Sequence, residues 1–305
     1  MITYDSVIIG GGPAGISAAL TCASQGLSCL LVAEKYGGKL NYISHLSNWF
    51  GGGLGNGVQL AISFQNELSR QAKFVTTIST AVTALEPTEL GGRNSYIVQL
   101  QNDSRVIARS LVVATGTKQR QLGVPGEKML LGKGVSYCAT CDIPFFRNKT
   151  IALIGDNDRI LAVTDELARH AKQVYLFSPL DSRAVRASNV QVIKGASLDK
   201  IVGIAKVSGL TYRDDKSKQV VHLALDGVFI ESTALGNSQL VSHLVRTTKD
   251  GFIKVDHATM ATSLAGVYAA GDVIDNRYKQ VSIAVADGTK AVLSVKKYLN
   301  TKEIT

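Results

Sequence analysis

Apolar residues along this chain come in short unbroken runs that end in glycine, the pattern of strands buried on both faces of a parallel sheet. The first run, Ser6-Val7-Ile8-Ile9, breaks into Gly10-Gly11-Gly12-Pro13-Ala14-Gly15. Small residues suited to a helix follow from Ile16, and a second apolar run over 28–32 leads to Glu34. This is a βαβ unit. The pattern restarts at Ile151-Ala152-Leu153-Ile154-Gly155, with a helix expected over 161–168 and a strand at Gln173–Phe177. Two copies of one unit predict an α/β protein of two doubly wound, Rossmann-like domains. Segments 111–116 and 227–231 read as crossings between them. A buried strand ending in Gly271-Asp272 precedes a helix expected over about 280–298. The second domain is expected to be inserted into the first: residues 1–115 and 245–305 together, with 116–244 between them.

Composition narrows the class. With 305 residues and 45% hydrophobic content, two buried cores are within reach. No apolar run attains the roughly 18–20 residues of a membrane span, and the N-terminal residues enter a strand without a charged leader. A cytoplasmic protein that does not bind membranes is therefore expected. Four cysteines are too few for a disulfide scaffold. The net charge is +9, but the basic residues are scattered and not interleaved with aromatics, so nucleic acid is not an expected partner. The charge reads as a well-solvated surface or as a docking face for an acidic protein.

Two motifs carry chemistry. Gly10-x-Gly12-x-x-Gly15 has the spacing a pyrophosphate needs at a helix N-terminus: a tight turn, a close backbone approach, then close helix–strand packing. Glu34, after the next strand, is placed for a ribose hydroxyl. The second motif is Cys138-Ala139-Thr140-Cys141-Asp142. A zinc site would need a second ligand pair at matching spacing, and a permanent disulfide across so short a loop is unusual in a reducing compartment. Cys22 and Cys29 lie in the first helix and second strand as apolar filler. A two-electron dithiol/disulfide switch remains, with Asp142 as the acid and base for thiol exchange, or as a helix N-cap as well.

The chain resembles the low-molecular-weight thioredoxin reductases over nearly its whole length. The resemblance rests on residues 135–142, on Gly37-Gly38-Lys39-Leu40, Ala114-Thr115-Gly116-Thr117, Pro125-Gly126-Glu127, Ala269-Ala270-Gly271-Asp272-Val273 and Tyr278-Lys279-Gln280-Val281. It implies a homodimeric flavoprotein with FAD in the outer domain and thioredoxin or a similar disulfide protein as partner. It implies that Cys141 faces the flavin, that Cys138 attacks the partner disulfide and that Asp142 is the acid/base. Asp272 and Gln280 would hold the ribityl and isoalloxazine parts, with Asn48 near the flavin. Pro13, Ala14, Gly38, Leu40, Val82, Gly116 and Val281 complete the expected cofactor shell. Exposure of Cys138 to a partner implies domain rotation or local opening.

The departures cluster on one side. The second fingerprint reads Gly155-Asp156-Asn157-Asp158-Arg159-Ile160, so only its first glycine survives. Asp156 and Asp158 would each oppose a phosphate by on the order of a few kcal/mol at contact range. Ser178-Pro179-Leu180 lacks the basic cluster that reads a 2′-phosphate, and Ser232-Thr233-Ala234-Leu235 replaces a Gly-His-x-Pro segment. NADPH is therefore not the expected donor. The pattern is similar to the pyridine-nucleotide-independent branch, in which ferredoxin or another donor serves. A ferredoxin near −400 mV lies about 130 mV below a thioredoxin-type disulfide, roughly 6 kcal/mol for two electrons. A second flavin or another aromatic cofactor is a candidate occupant of the emptied cleft, beside Tyr175 and Phe177. Two alternatives stay open: an NAD(P)H-dependent reductase with a divergent site, and a flavin-binding redox sensor without turnover.

Overall fold

The computed structural model describes residues 1–301 except 44, 45, 47, 52–54, 119, 120, 158, 232 and 233, and leaves out the side chains of Thr140, Cys141 and Ser182. Its helices are α1 (Pro13–Ser24), α2 (Gly57–Arg70), α3 (Ala139–Asp142), α4 (Ile160–Ala168) and α5 (Val281–Asn300). The chain divides into two compact units, Met1–Lys118 with Leu235–Thr305, and Gln119–Ala234.

The first unit is built on a parallel sheet in the order Val267–Ala269, Leu111–Val113, Ser6–Gly11, Cys29–Tyr36, Val75–Ile78. Val7, Ile8, Leu30, Leu31, Val112 and Val113 are completely or almost completely buried, which is why these strands read as continuous apolar runs rather than alternating ones. Helix α1 packs on the sheet through Ile16, Ala18, Ala19 and Cys22. It lies so close to α5 that a Cβ at Gly288 would collide with the Ala14 carbonyl. Cys22 and Cys29 are buried as expected, and Cys29 hydrogen bonding together with burial pushes the Cys22 thiol up. An antiparallel layer of Arg105–Ala108, Arg93–Leu100 and Val82–Leu90 completes the unit, with Thr3–Tyr4 pairing parallel at its edge.

The inserted unit repeats the plan. Its parallel sheet runs Val135–Ser136, Gly227–Glu231, Thr150–Gly155, Gln173–Phe177, Val190–Ile193. An antiparallel sheet of Ala196–Gly203, Val207–Asp214 and Val220–Ala224 lies in the same unit. The fold is thus α/β with two doubly wound parallel sheets.

Three expectations need correction. Gly227–Glu231 is no crossing: it is a fully buried inner strand of the inserted sheet, bonded to Thr150–Gly155. The returning segment is Leu235–Gly236, which pairs with Thr117–Lys118. Residues 235–244 consequently belong to the first unit, where Val241 packs into the core, and the inserted unit is shorter than 116–244. The second strand also continues past Glu34 to Tyr36, because Gly11 pairs with Tyr36 across an irregularity in the register.

Candidate active site

In the first unit each fingerprint glycine has a different physical reason. Gly10 has φ 119°, and a side chain there would strike the Ala114 carbonyl. Gly15 packs against the Gly10 carbonyl, bringing α1 down onto the strand. At Gly12 a Cβ would meet nothing within 4 Å. Gly12 is the N-cap of α1 in extended conformation, Pro13 is the first helical residue, and no side chain caps the helix. Open space before an uncapped helix N-terminus, with no acid in its first turn, fits a dinucleotide diphosphate.

The neighbouring segments gather around that point. Gly38 (φ 54°) would place a Cβ 3.0 Å from the Gly12 Cα, and Gly37 donates its amide to the Gly11 carbonyl at 2.8 Å. Gly271 (φ 75°) lies against the Ala14 methyl, which brings Asp272 toward the same helix end. Lys39 Nζ pairs with Asp272 Oδ2 at 2.7 Å. Lys279 Nζ donates to the Asp272 and Ile274 carbonyls at 3.0 and 2.6 Å, and burial draws its pKa below the ordinary lysine value. Asn48 Nδ2 donates to Gln280 Oε1 at 2.8 Å, just before Val281 opens α5.

Glu34 is exposed on its strand beside Ala33, whose carbonyl accepts the Thr80 amide at 3.1 Å. Val82 begins its strand soon after. Leu40 is fully buried against Leu60 and Ala61, so only its backbone can face a ligand. Gly116 (φ 71°) has open space at its Cβ position. Lys39 and Lys279 were not singled out as site residues from the sequence; a cation within each glycine- or glutamine-bearing motif was the available signal.

In the inserted unit, Cys138 sits in extended conformation at the N-cap of α3 and is disulfide-bonded, whereas the Cys141 side chain lies outside the described ones. Asp142 ends α3 and precedes a 3-10 turn at Ile143–Phe146, to which its carboxylate gives no capping hydrogen bond.

The second fingerprint differs in its backbone. Gly155 keeps the close approach to the Glu231 carbonyl, but Ile160, in the place of Gly15, presses its Cδ1 toward Gly155. Helix α4 begins only at Ile160, whereas α1 begins at Pro13, two positions before Gly15. Asn157 stands at the sequence place that Gly12 holds in the first fingerprint, and its side chain is engaged by the chain: its Oδ1 accepts the Arg159 amide at 3.0 Å and its Nδ2 donates to the Glu231 carbonyl at 3.3 Å. The Arg159 amide, just ahead of the α4 N-terminus, is thus satisfied by the chain itself. Asp158 and Ser232-Thr233 lie outside the described residues.

At the C-terminal ends of these strands lies a cavity of about 460 Å³, the usual ligand position of such a sheet. Asp156, Asp215 and Glu231 line it with apolar Leu122, Ile193 and Leu198, and no lysine or arginine does so among the described residues. Phe177 lines it too, while Tyr175 packs at the edge of the neighbouring core. No described helix is long and apolar enough to cross a membrane.

The family model for pyridine nucleotide-disulphide oxidoreductases matches residues 4–288. A thioredoxin reductase from Streptococcus pyogenes is 33% identical, with a TM-score of 0.89 over 97% of this chain and 98% of that one. A ferredoxin-flavin thioredoxin reductase from Clostridium acetobutylicum is 28% identical, with a TM-score of 0.54 over 99% and 100%. An NADH dehydrogenase from Ferdinandcohnia aciditolerans is 32% identical over 97% of this chain, which spans only 57% of that relative's length.

Proposed function

The chain belongs to the pyridine nucleotide-disulphide oxidoreductase family, and from that premise we propose that it is an FAD-dependent disulfide reductase of thioredoxin reductase type, fed by ferredoxin or another non-pyridine donor. FAD is the expected cofactor of this family, and when bound it supplies an electron acceptor that takes one or two electrons at a time. Gly12 and the α1 N-terminus would hold its diphosphate, Glu34 its ribose, Asp272 its ribityl chain, and Gln280 with Asn48 its ring.

The thiol chemistry falls to Cys138, Cys141 and Asp142. With the pair reduced, the Cys138 thiolate attacks one sulfur of the partner disulfide, forming a mixed disulfide and expelling the second partner sulfur as thiolate. Cys141 then attacks Cys138, re-forming their bond and releasing the first partner sulfur. Asp142 takes the proton that activates the attacking thiol and returns it to a leaving thiolate. The partner is thioredoxin or a protein of similar disulfide, and the working unit is a cytoplasmic homodimer.

The observation that carries the donor assignment is Asn157, which stands where the first fingerprint has Gly12 and whose side chain accepts the Arg159 amide. The carboxylates of Asp156 and Asp215 line the same cavity and add negative charge there, while Glu231 is paired with Arg159 at 3.8 Å. The net charge of +9 suits an acidic electron-transfer protein. A second reading, a pyridine-nucleotide-fed reductase with a divergent cleft, is favoured by the likeness to an NADH dehydrogenase. The test is thioredoxin reduction under anaerobic conditions with photoreduced ferredoxin, NADPH and NADH compared as donors. Turnover with ferredoxin alone is expected; turnover with either nucleotide at a comparable rate overturns the donor assignment.

A further inference from the structure

Glu127 is only 2% exposed, yet it lies outside the chemistry described so far. Its Oε1 accepts the Leu122 amide at 2.9 Å and the Tyr137 hydroxyl, and its Oε2 accepts the Gly123 amide at 2.8 Å. Three donors satisfy a carboxylate that would otherwise be costly to bury. Gly126 makes the bend that tucks it in: φ is 88°, and a Cβ there would strike the Ile201 carbonyl. Burial and the Glu127 carboxylate push the Tyr137 phenol up, so it stays protonated and donates.

Tyr137 is the residue before Cys138. The Cys138 amide donates to Ser136 Oγ at 3.0 Å, and Ser136 is fixed in the sheet opposite Phe229. At Cys138 the backbone is extended (φ −134°, ψ 90°), and α3, which carries Cys141, starts at the next residue. The handover from strand to helix, which sets the separation of the two cysteines, is therefore held at Ser136 by the sheet and at Tyr137 by Glu127.

We propose that Glu127 and Tyr137 form a positioning pair that holds Cys138 in bonding register with Cys141 and so sets the stability of their disulfide. Fixing one partner raises the effective concentration of one thiol at the other, and loss of the fixing hydrogen bond lowers it. The inference rests on the reading that Cys138 and Cys141 cycle between disulfide and dithiol.

The test is an equilibrium titration of the flavin-loaded full chain in glutathione buffers, followed by alkylation and mass measurement of the peptide bearing both cysteines. Two glutathione thiols reduce the protein disulfide, giving oxidised glutathione and the two protein thiols. Tyr137→Phe is expected to weaken the disulfide about tenfold, near 30 mV toward a more oxidising potential. Phenylalanine leaves Glu127 its two amide donors, so the fold is retained. Glu127→Ala, which removes the acceptor and is a second route to loss of the same contact, is expected to shift the equilibrium similarly, and the double variant with Tyr137→Phe no more than twofold further. A merely structural pair would lower the melting temperature and leave this equilibrium within twofold of wild type, which overturns the proposal. So does an additive, hundredfold shift in the double variant. A wild type whose cysteines never interconvert overturns both this inference and the redox reading beneath it; a cycling wild type with unmoved variants overturns the positioning pair alone.

Discussion

Alanine at Gly12 and alanine at Gly15 add the same methyl group three residues apart, and the structure assigns them opposite effects. At Gly15 the new Cβ would lie inside the van der Waals shell of the Gly10 carbonyl oxygen, with the carbonyl carbon 3.0 Å away and the Ala114 methyl at 3.5 Å. Backbone cannot swing aside as a side chain can, so α1 must lift off the sheet. Overpacking of this kind costs about 1–3 kcal/mol, which lowers the melting midpoint by about 2–12 °C in a unit of this size. At Gly12 the Cβ meets nothing within 4 Å, and the extended backbone (φ −78°, ψ −178°) admits alanine without strain. The apoprotein should therefore melt as wild type does, within about 0.5 kcal/mol. The methyl would stand where the diphosphate must approach, displacing about one charge-assisted hydrogen bond, roughly 1.5–3 kcal/mol or about 10–150-fold in flavin affinity. The assay pairs thermal unfolding of the apoprotein with flavin binding followed by visible absorbance. A Gly12→Ala protein that binds FAD as tightly as wild type would refute the assignment of Gly12 as the approach point. A Gly15→Ala protein of unchanged stability would refute the packing argument.

Asp272→Asn should weaken flavin binding, while Lys39→Met should change apoprotein stability by less than about 1 kcal/mol, because the pair is partly solvated; denaturant titration and flavin binding separate the two. Gly126→Ala should destabilise by more than about 1 kcal/mol in urea unfolding, since it combines positive φ with a collision at the Ile201 carbonyl. Burial raises Tyr268 from 10.0 to about 12. A raised folded value stabilises below the unfolded pKa, and that contribution is lost as pH climbs through the folded one. Stability should therefore fall between pH 10 and 12, and Tyr268→Phe should flatten that slope in pH-dependent unfolding; an identical slope would remove Tyr268 as a source.

The doubly wound plan was legible because its strands are buried on both faces and end in glycine, so Ser6–Gly11 and Thr150–Gly155 announce themselves by composition alone. Gly227–Glu231 was misread as a crossing because its short apolar stretch, Val228-Phe229-Ile230, looks alike at the centre of a sheet and at a linker. The true return at Leu235–Gly236 is only two residues of strand and leaves no period to detect. At the first fingerprint the glycines were legible from their spacing: Gly10 and Gly15 each have a collision at a backbone carbonyl that excludes a side chain, while Gly12 stands out by the open space beside it. The Lys39–Asp272 and Glu127–Tyr137 pairings were not, because both join side chains that only the folded backbone brings together. The substituted second fingerprint was visible in letters; that Asn157 turns its own oxygen onto the Arg159 amide required coordinates.

Anaerobic rapid mixing of the flavin-loaded protein with NADPH, and separately with NADH, tests the central claim most directly, with the flavin absorbance as the readout. The account predicts that the oxidised flavin spectrum persists with both nucleotides and bleaches with reduced ferredoxin. Bleaching by either nucleotide on the timescale of turnover would contradict it.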